Sequence, residues 1–524
     1  MTAIATFQIV LLLLTAAVLL ALVARRLRTP PAVAFVLGGI LLAIAPGLRV
    51  PDFDPELYMA VFLPPLVHSS AFFTVWRAFR ANLRPILLLA IGLVFFTAFV
   101  VGWLAKFLLP EMSWASAFTL GAIISPTDTA VTTAVLGRFR IPQRLVTILE
   151  GESLVNDASG LVLYRVAMVA ALTGQFSLPH AAASFVWLLV GGVMAGGAWG
   201  YGYIVVFRRL GDTNLEIAAS FLVAWASYLT AESVGVSGVL ATTTCGLLMG
   251  WYQHETFSAS TRLQAKAAWR VAVFVLEALL FILVGLSLRG LSVEFDAHTA
   301  TSLLPLALLI SFAVVAARMV WVFPATYLSR LLVPAIRRTE PRPPPSVPTV
   351  IGWAGMRGAV SLAAALALPI DFPGRDPILL ITFTVILVTL LIQGGSLGIL
   401  IQALGLSTSV ANDAVQEHAE PRAAIAAAAL RVVEERATDP LYGAIAEDMV
   451  REYRDRTGWL NRVKTDDAAV HAEIVARRSL RHEALAAARA ELLRLHRSGD
   501  IGDDALNALE QELDLEEVRL PPAN

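Results

Sequence analysis

The sequence predicts an all-α polytopic membrane protein: about thirteen transmembrane helices in two inverted repeats with broken crossing helices, followed by a C-terminal cytoplasmic helical domain. Three observations predict it. The 524 residues are 57% hydrophobic and only 15% charged, with a mean hydropathy of +0.69, whereas soluble domains run nearer 45–50% and about 25%. Apolar runs long enough to cross a bilayer recur along most of the chain. The basic residues fall in alternate connections. Weak strand alternation argues against an outer-membrane barrel, and a formal net charge of -1 gives no electrostatic footprint for nucleic acid.

At about 20 apolar residues per crossing, spans fall near 6–24, 32–48, 55–75, 85–108, 114–136, 146–172, 182–207, 215–233, 236–251, 269–288, 301–329, 347–369 and 377–404. The first has no preceding basic residue and is followed by "ARRLR", so it reads as a permanent span rather than a cleavable signal. The connections "RRLR", "RAFRANLR", "GRFRIPQR", "FRRL", "RLQAKAAWR" and "SRLLVPAIRRTEPR" hold about eighteen Arg and Lys, and the intervening ones about three. The positive-inside rule makes the basic set cytoplasmic, with the N-terminus outside and the C-terminus inside. Residues 1–405 thus form a membrane domain. Residues 406–524 form a helical tail with about 38 of the 81 charged residues, a density that places it in water; Leu485, Leu492 and Leu495 share one helical face there. Regulation and simple solvation are both open roles. Cys245 lies alone in an apolar run and reads as packing.

Charge inside a span costs several kcal/mol, roughly 2.5–3.5 on insertion scales, and marks a bundle interior, a pair or an aqueous path. "EGESLVND" (150–157) is one such place. On a helix Ser153 and Asp157 share one face, and Glu152 and Asn156 the next. Hard oxygen ligands suit a small alkali cation, and desolvation favours the proton on a carboxylate. An Asp that holds a proton or a cation, but not both well, is a minimal exchanger; a static buried ion pair is the plainer alternative. The second place is "SPTD" (125–128) in the fifth span, where Pro126 removes a backbone donor and frees carbonyls, and Asp128 neutralises a half-helix N-terminus. The third is "WAGMRGAVSLA" (353–363) in the twelfth span, where Gly352, Gly355 and Gly358 weaken the helix and Arg357 adds a permanent charge. Glu152 is its expected partner, leaving Asp157 to change protonation state. If spans one to six and eight to thirteen are inverted repeats, the two interrupted spans correspond.

"SPTD", "GESLVND" and "GMRGAVSLA", in that order, with "FLPPLVHSSAFF", "VSGVLA", "LLFILVGLSL" and "ITFTVILVTLLIQGGSLGILI", resemble the bacterial sodium/proton antiporters of the monovalent cation:proton antiporter-1 family. The likeness covers roughly residues 5–405. It implies a thirteen-helix fold with dimerisation and core subdomains, a homodimer in the bacterial plasma membrane, and alternating access. No cofactor is implied; the partners are Na+ (or Li+, K+), H+ and the lipid bilayer. It also implies Asp157 as cation and proton carrier, Asn156 beside it, Thr127 (through its carbonyl) and Ser153 as ligands, and Asp128 as a stabiliser of the helix crossing. Glu152–Arg357 is again the structural pair. Asn at 156 is associated with electroneutral exchange.

The sequence departs from that pattern in the third span, where many relatives carry an acid: Ser69 stands there, after His68. His68 either titrates near neutral pH or packs in the core. Glu277, in "FVLEALLFILVG", is a second candidate proton site, and Arg165 a candidate partner for it. A potassium-preferring antiporter is the nearest rival reading; a cation channel or membrane sensor is the more distant one. No soluble-enzyme motif occurs: there is no "HExxH", Walker loop or nucleophile elbow.

Overall fold

The computed structural model describes all residues except 1–2, 28, 45–54, 129, 138, 140, 208–210, 288–296, 333–341, 407–410, 437–442, 464–467, 499 and 519–524. Of the basic connections, Arg28, Arg138, Arg140, Arg208, Arg209, Arg337 and Arg338 therefore lie outside the described residues. The described residues contain helices and turns, with no strand among them. They divide into two compact units, Met1–Thr408 and Ser409–Asn524.

The first unit runs α1 (Ala3–Leu27), α2 (Pro31–Ile44), α3 (Pro55–Phe73), α4 (Trp76–Ala81), α5 (Leu83–Leu108), α6 (Trp114–Ile124), α7 (Ala130–Leu136), α8 (Gln143–Thr173), α9 (Leu178–Phe207), α10 (Thr213–Ser233), α11 (Gly238–Thr256), α12 (Ala259–Leu286), α13 (Ala297–Leu332), α14 (Ser346–Trp353), α15 (Ala359–Leu366) and α16 (Arg375–Ala403). Among the described residues, seven helices are long and apolar enough to cross a membrane on their own: α1, α5, α8, α9, α12, α13 and α16. The other expected spans meet shorter helices (α2, α3, α6), less apolar ones (α10, α11), or pairs of half-helices. Helix starts follow local chemistry: Ser113, Asp212, Ser237 and Ser258 each accept a backbone N–H with the side chain, satisfying donors that lipid cannot.

Small residues let these helices approach closely, as membrane packing favours. A Cβ on Gly39 of α2 would lie 2.2 Å from the Ile282 carbonyl of α12, and one on Gly285 would lie 2.3 Å from the Val36 carbonyl. Gly196 of α9 similarly meets the Ala241 carbonyl of α11.

Two spans are broken. Between α6 and α7 the chain passes non-helically through Ser125–Asp128; between α14 and α15 it does so through Gly355–Gly358. The two segments cross in contact. The Asp128 N–H donates to the Met356 carbonyl at 2.8 Å, and the Thr132 hydroxyl donates to the Ala354 carbonyl at 3.2 Å. Each breaks its helix where the other supplies a partner, which meets the rule that buried backbone groups are satisfied. Two π-helical turns support the crossing. In Leu88–Leu93 the Ala90 carbonyl accepts the Ser159 hydroxyl at 2.5 Å. In Thr389–Gln393 the Thr389 hydroxyl accepts the Arg357 N–H at 3.1 Å. Such turns expose backbone groups that a regular helix hides.

The second unit contains Ala411–Arg436, Gly443–Val463, Ala468–Ser498 and Asp503–Val518. Arg454 bonds Glu434 at 2.8 Å between the first two helices, and Arg489 bonds Glu517 at 2.6 Å between the last two. Leu485 and Leu492 are buried, as their shared helical face requires.

The crossing leaves no room for a side chain at Gly358, whose Cβ would sit 1.8 Å from Asp128 Oδ2. Gly358→Ala should therefore destabilise the folded protein by about 1–3 kcal/mol through overpacking. Gly197→Ala is the control, because nothing lies within 4 Å of that position, and it should be neutral. Thermal melting of the two purified variants in detergent compares them; equal melting temperatures would remove Gly358 from the crossing's requirements.

Candidate functional site

Thr127 is the hub of the crossing. Its hydroxyl donates to Glu152 Oε1 at 3.0 Å and accepts from Asn156 Nδ2 at 2.6 Å. Its carbonyl, freed by the broken helix, accepts the Ser153 hydroxyl at 3.1 Å. One hydroxyl proton and two lone pairs allow this pattern only if Glu152 is the acceptor. That carboxylate is buried and receives both Nη atoms of Arg318, Nη2 at 2.8 Å. Arg318 Nε donates in turn to the Ile351 carbonyl at 3.1 Å, in the last turn of α14. The result is a continuous chain from α14 through Arg318, Glu152 and Thr127 to Asn156.

The expected ion pair of Glu152 with Arg357 is thus replaced by Glu152–Arg318. Arg318 enters from α13 over Gly355, where a Cβ would lie 2.2 Å from its Cδ. Arg357 turns to the other break and donates to the Ser125 carbonyl at 2.6 Å. The division is electrostatically sensible. Each half-helix that ends at the crossing has partial negative charge at its C-terminus, and each receives one guanidinium. Asp128 lies against Gly358, at the start of α15, where a carboxylate meets the positive end.

Asp157 stands apart from this chain. Its neighbour Asn156 is turned into the hub, and one residue of helix, about 100°, turns Asp157 the other way. It lines a cavity of about 780 Å³ and makes no hydrogen bond with a described residue. Ser69, Thr127, Asp128, Ser153 and Glu277 line the same cavity, so the expected ligand positions come together there. Ser69 satisfies its own proton on the Leu66 carbonyl at 2.9 Å, leaving its oxygen lone pairs as its contribution. Glu150 also lines the cavity, two turns before Asp157 on the same face.

Two accessory expectations fall elsewhere. His68 is fully buried and is not a lining residue; it stacks between Phe72 and Trp269, with ring centroids 6.1 Å and 5.5 Å away, the packing alternative. Arg165 pairs with Glu232, not Glu277. Glu232 also accepts the Gly238 N–H at 3.0 Å, so this pair fastens α8 to the turn between α10 and α11.

Residues 11–403 match the family described as sodium/hydrogen exchanger, transmembrane. The chain belongs to that family. An uncharacterized Na(+)/H(+) exchanger of Mycobacterium tuberculosis is 34% identical over 531 aligned positions, 98% of this chain and 96% of the relative. The sodium, potassium, lithium and rubidium/H(+) antiporter of Bacillus subtilis is 36% identical over 380 residues, 68% of this chain and 55% of its own. The sodium proton antiporter MjNhaP1 of Methanocaldococcus jannaschii matches with a TM-score of 0.61 at 18% identity, covering 77% of this chain and 99% of that one, a likeness of fold.

In this exchanger, Arg318 bonds into the site from outside the three motifs. The signal was present: one Arg inside the apolar run Ser302–Leu328 is an intramembrane charge that requires a partner. Ser159 and Thr389 carry no such signal, since hydroxyls in membrane helices commonly bond their own backbone.

Removing one member of a buried pair strands the other. Arg318→Met should destabilise the exchanger by about 3–5 kcal/mol, and adding Glu152→Gln should recover much of that loss. A double-mutant melting cycle measures the coupling. Strong coupling of Glu152 to Arg357 instead, with none to Arg318, would restore the other pairing.

Proposed function

We propose that the protein is a secondary active antiporter that exchanges Na+, Li+ or K+ for H+ by alternating access, one for one and electroneutrally. Asp157 carries either the cation or the proton. The observation that carries this reading is the division of labour on one helical turn: Glu152 is held by Arg318, Asn156 is held by Thr127, and the Asp157 carboxylate faces the cavity. Thr127, through its backbone oxygen, Ser153 and Ser69 complete the oxygen ligands around the ion. Asp128 and the two guanidiniums keep the half-helix ends neutralised while the ion changes. With one carboxylate occupied by either of two monovalent ions, the site returns with the same charge it brought in.

The protein is a multi-pass membrane protein. We place it in the bacterial plasma membrane as a homodimer, with the N-terminus outside and residues 406–524 in the cytoplasm as a helical tail. On that orientation the N-terminal ends of α8 and α12 are cytoplasmic, and Glu150 and Lys266, near those ends, mark the cytoplasmic side of the cavity lining. A potassium preference is the second reading. It is favoured by Ser69, which offers a hydroxyl where a carboxylate would bind the smaller ion more strongly, and the Bacillus subtilis relative carries potassium in its name.

The test is transport in proteoliposomes holding a pH-sensitive dye. Gradients of Na+, Li+ or K+ should each be compared for driving proton movement. Asp157→Asn should lower the rate by about a hundredfold or more, at least about 2.7 kcal/mol in barrier. Full exchange by that variant would remove Asp157 from the mechanism. Clamping the membrane potential at different values should leave the wild-type driving force unchanged; a voltage-dependent reversal point would exclude one-for-one exchange.

A further inference from the structure

Helix α12 forms a second polar wall of the cavity. Lys266, Arg270, Val273, Glu277 and Leu280 line it, at helical spacings of three and four that give one continuous face. Glu277 is the sole charged residue between Val271 and Leu286. It lies eleven residues beyond Lys266, about 16 Å further along the helix, and nine residues from the helix end. A carboxylate at such depth requires a partner or water. Glu277 makes no hydrogen bond or ion pair with a described residue, and Arg270, two turns away on the same face, does not pair with it. What it faces is the cavity, and Asp157 and Asp128 border that same space from α8 and the α6–α7 break.

Carboxylates around one cavity repel each other and raise the local concentration of a small cation. No three acidic, His or Cys groups among the described residues are close enough to share a metal ion. We propose that Glu277 is a second cation-binding residue of this antiporter, which holds the alkali cation in the cavity alongside the Asp157 site and sets its apparent affinity. The proposal rests on the antiport reading. It gives the chain a carboxylate on α12, where α3 offers the same cavity the hydroxyls of Ser69 and Ser70 and no acid.

The two acids then have separable roles. Asp157 determines whether exchange occurs; Glu277 determines how much cation is needed. In proteoliposomes, Glu277→Gln should raise the apparent KM for the transported cation about fivefold or more while maximal rate stays within about twofold. Glu277→Asp, which keeps the charge, should lie near wild type. An unchanged KM in Glu277→Gln, or a lower maximal rate at unchanged KM, would overturn the proposal. Asp157→Asn run in parallel tests the antiport reading separately, since its loss of rate does not depend on Glu277. A binding measurement covers a poorly inserted variant: NaCl or KCl, compared with choline chloride, should raise the melting temperature of the purified Glu277→Gln protein less than that of wild type. An equal rise in both would count against the assignment.

Discussion

Two helices that stop in the middle of a membrane protein leave four helix ends away from bulk water, and their backbone groups must find partners there. This constraint organises the site. The extended segments at Ser125–Asp128 and Gly355–Gly358 bond to each other through Asp128 and Met356. The remaining carbonyls draw in charge: Ser125 receives Arg357, and Ile351 receives Arg318. Because Arg318 is needed there, Glu152 is needed opposite it. Because Glu152 accepts from Thr127, the Thr127 hydroxyl is left to accept from Asn156. Each step follows from the cost of an unsatisfied polar group in a medium of low polarity.

The chain of bonds ends at Asn156, and this explains why an amide suits that position. A carboxylate there could not donate to Thr127, and it would add a second negative charge beside Glu152. The amide donates without charge. Asp157 is excluded from the network by its direction on the helix. The protein thus keeps a hydrogen-bonded frame within one residue of the carboxylate proposed to exchange its occupant. Preorganised support of this kind positions a site without consuming the group that functions.

Much of this was legible in the sequence. Helical character, the broken spans at "SPTD" and "WAGMRGAVSLA", and the shared face of Ser153 and Asp157 follow from composition, Pro126, the three glycines and helical spacing; that Ser69 and Thr127 join them around one space was implied only by the family resemblance. The identity of Glu152's partner did not follow. Arg357 and Arg318 are both intramembrane arginines, and sequence separation does not tell which one a helix crossing directs toward residue 152. Gly355 decides it, by letting the α13 arginine lie across the break. The place of Arg165 was hidden for the same reason, because its partner, Glu232, sits at a helix end that reads as an ordinary solvated acid.

That last pair has a mechanical meaning. Arg165 lies two turns beyond Asp157 on α8, and its side chain and that of Glu232 are 38% and 27% exposed. An ion pair so accessible to water contributes little, on the order of 0–1 kcal/mol. Its attachment is therefore the opposite of the one at Glu152, where water is excluded. The helix that bears Asp157, the proposed carrier, is clamped firmly beside the hub and pinned lightly two turns further on, like a lever with a fixed pivot and a slip joint. Movement against α10 and α11 would part this exposed contact together with the apolar packing of Leu154 and Ala158 on Tyr228, Val239 and Leu240, non-directional contacts that can slide.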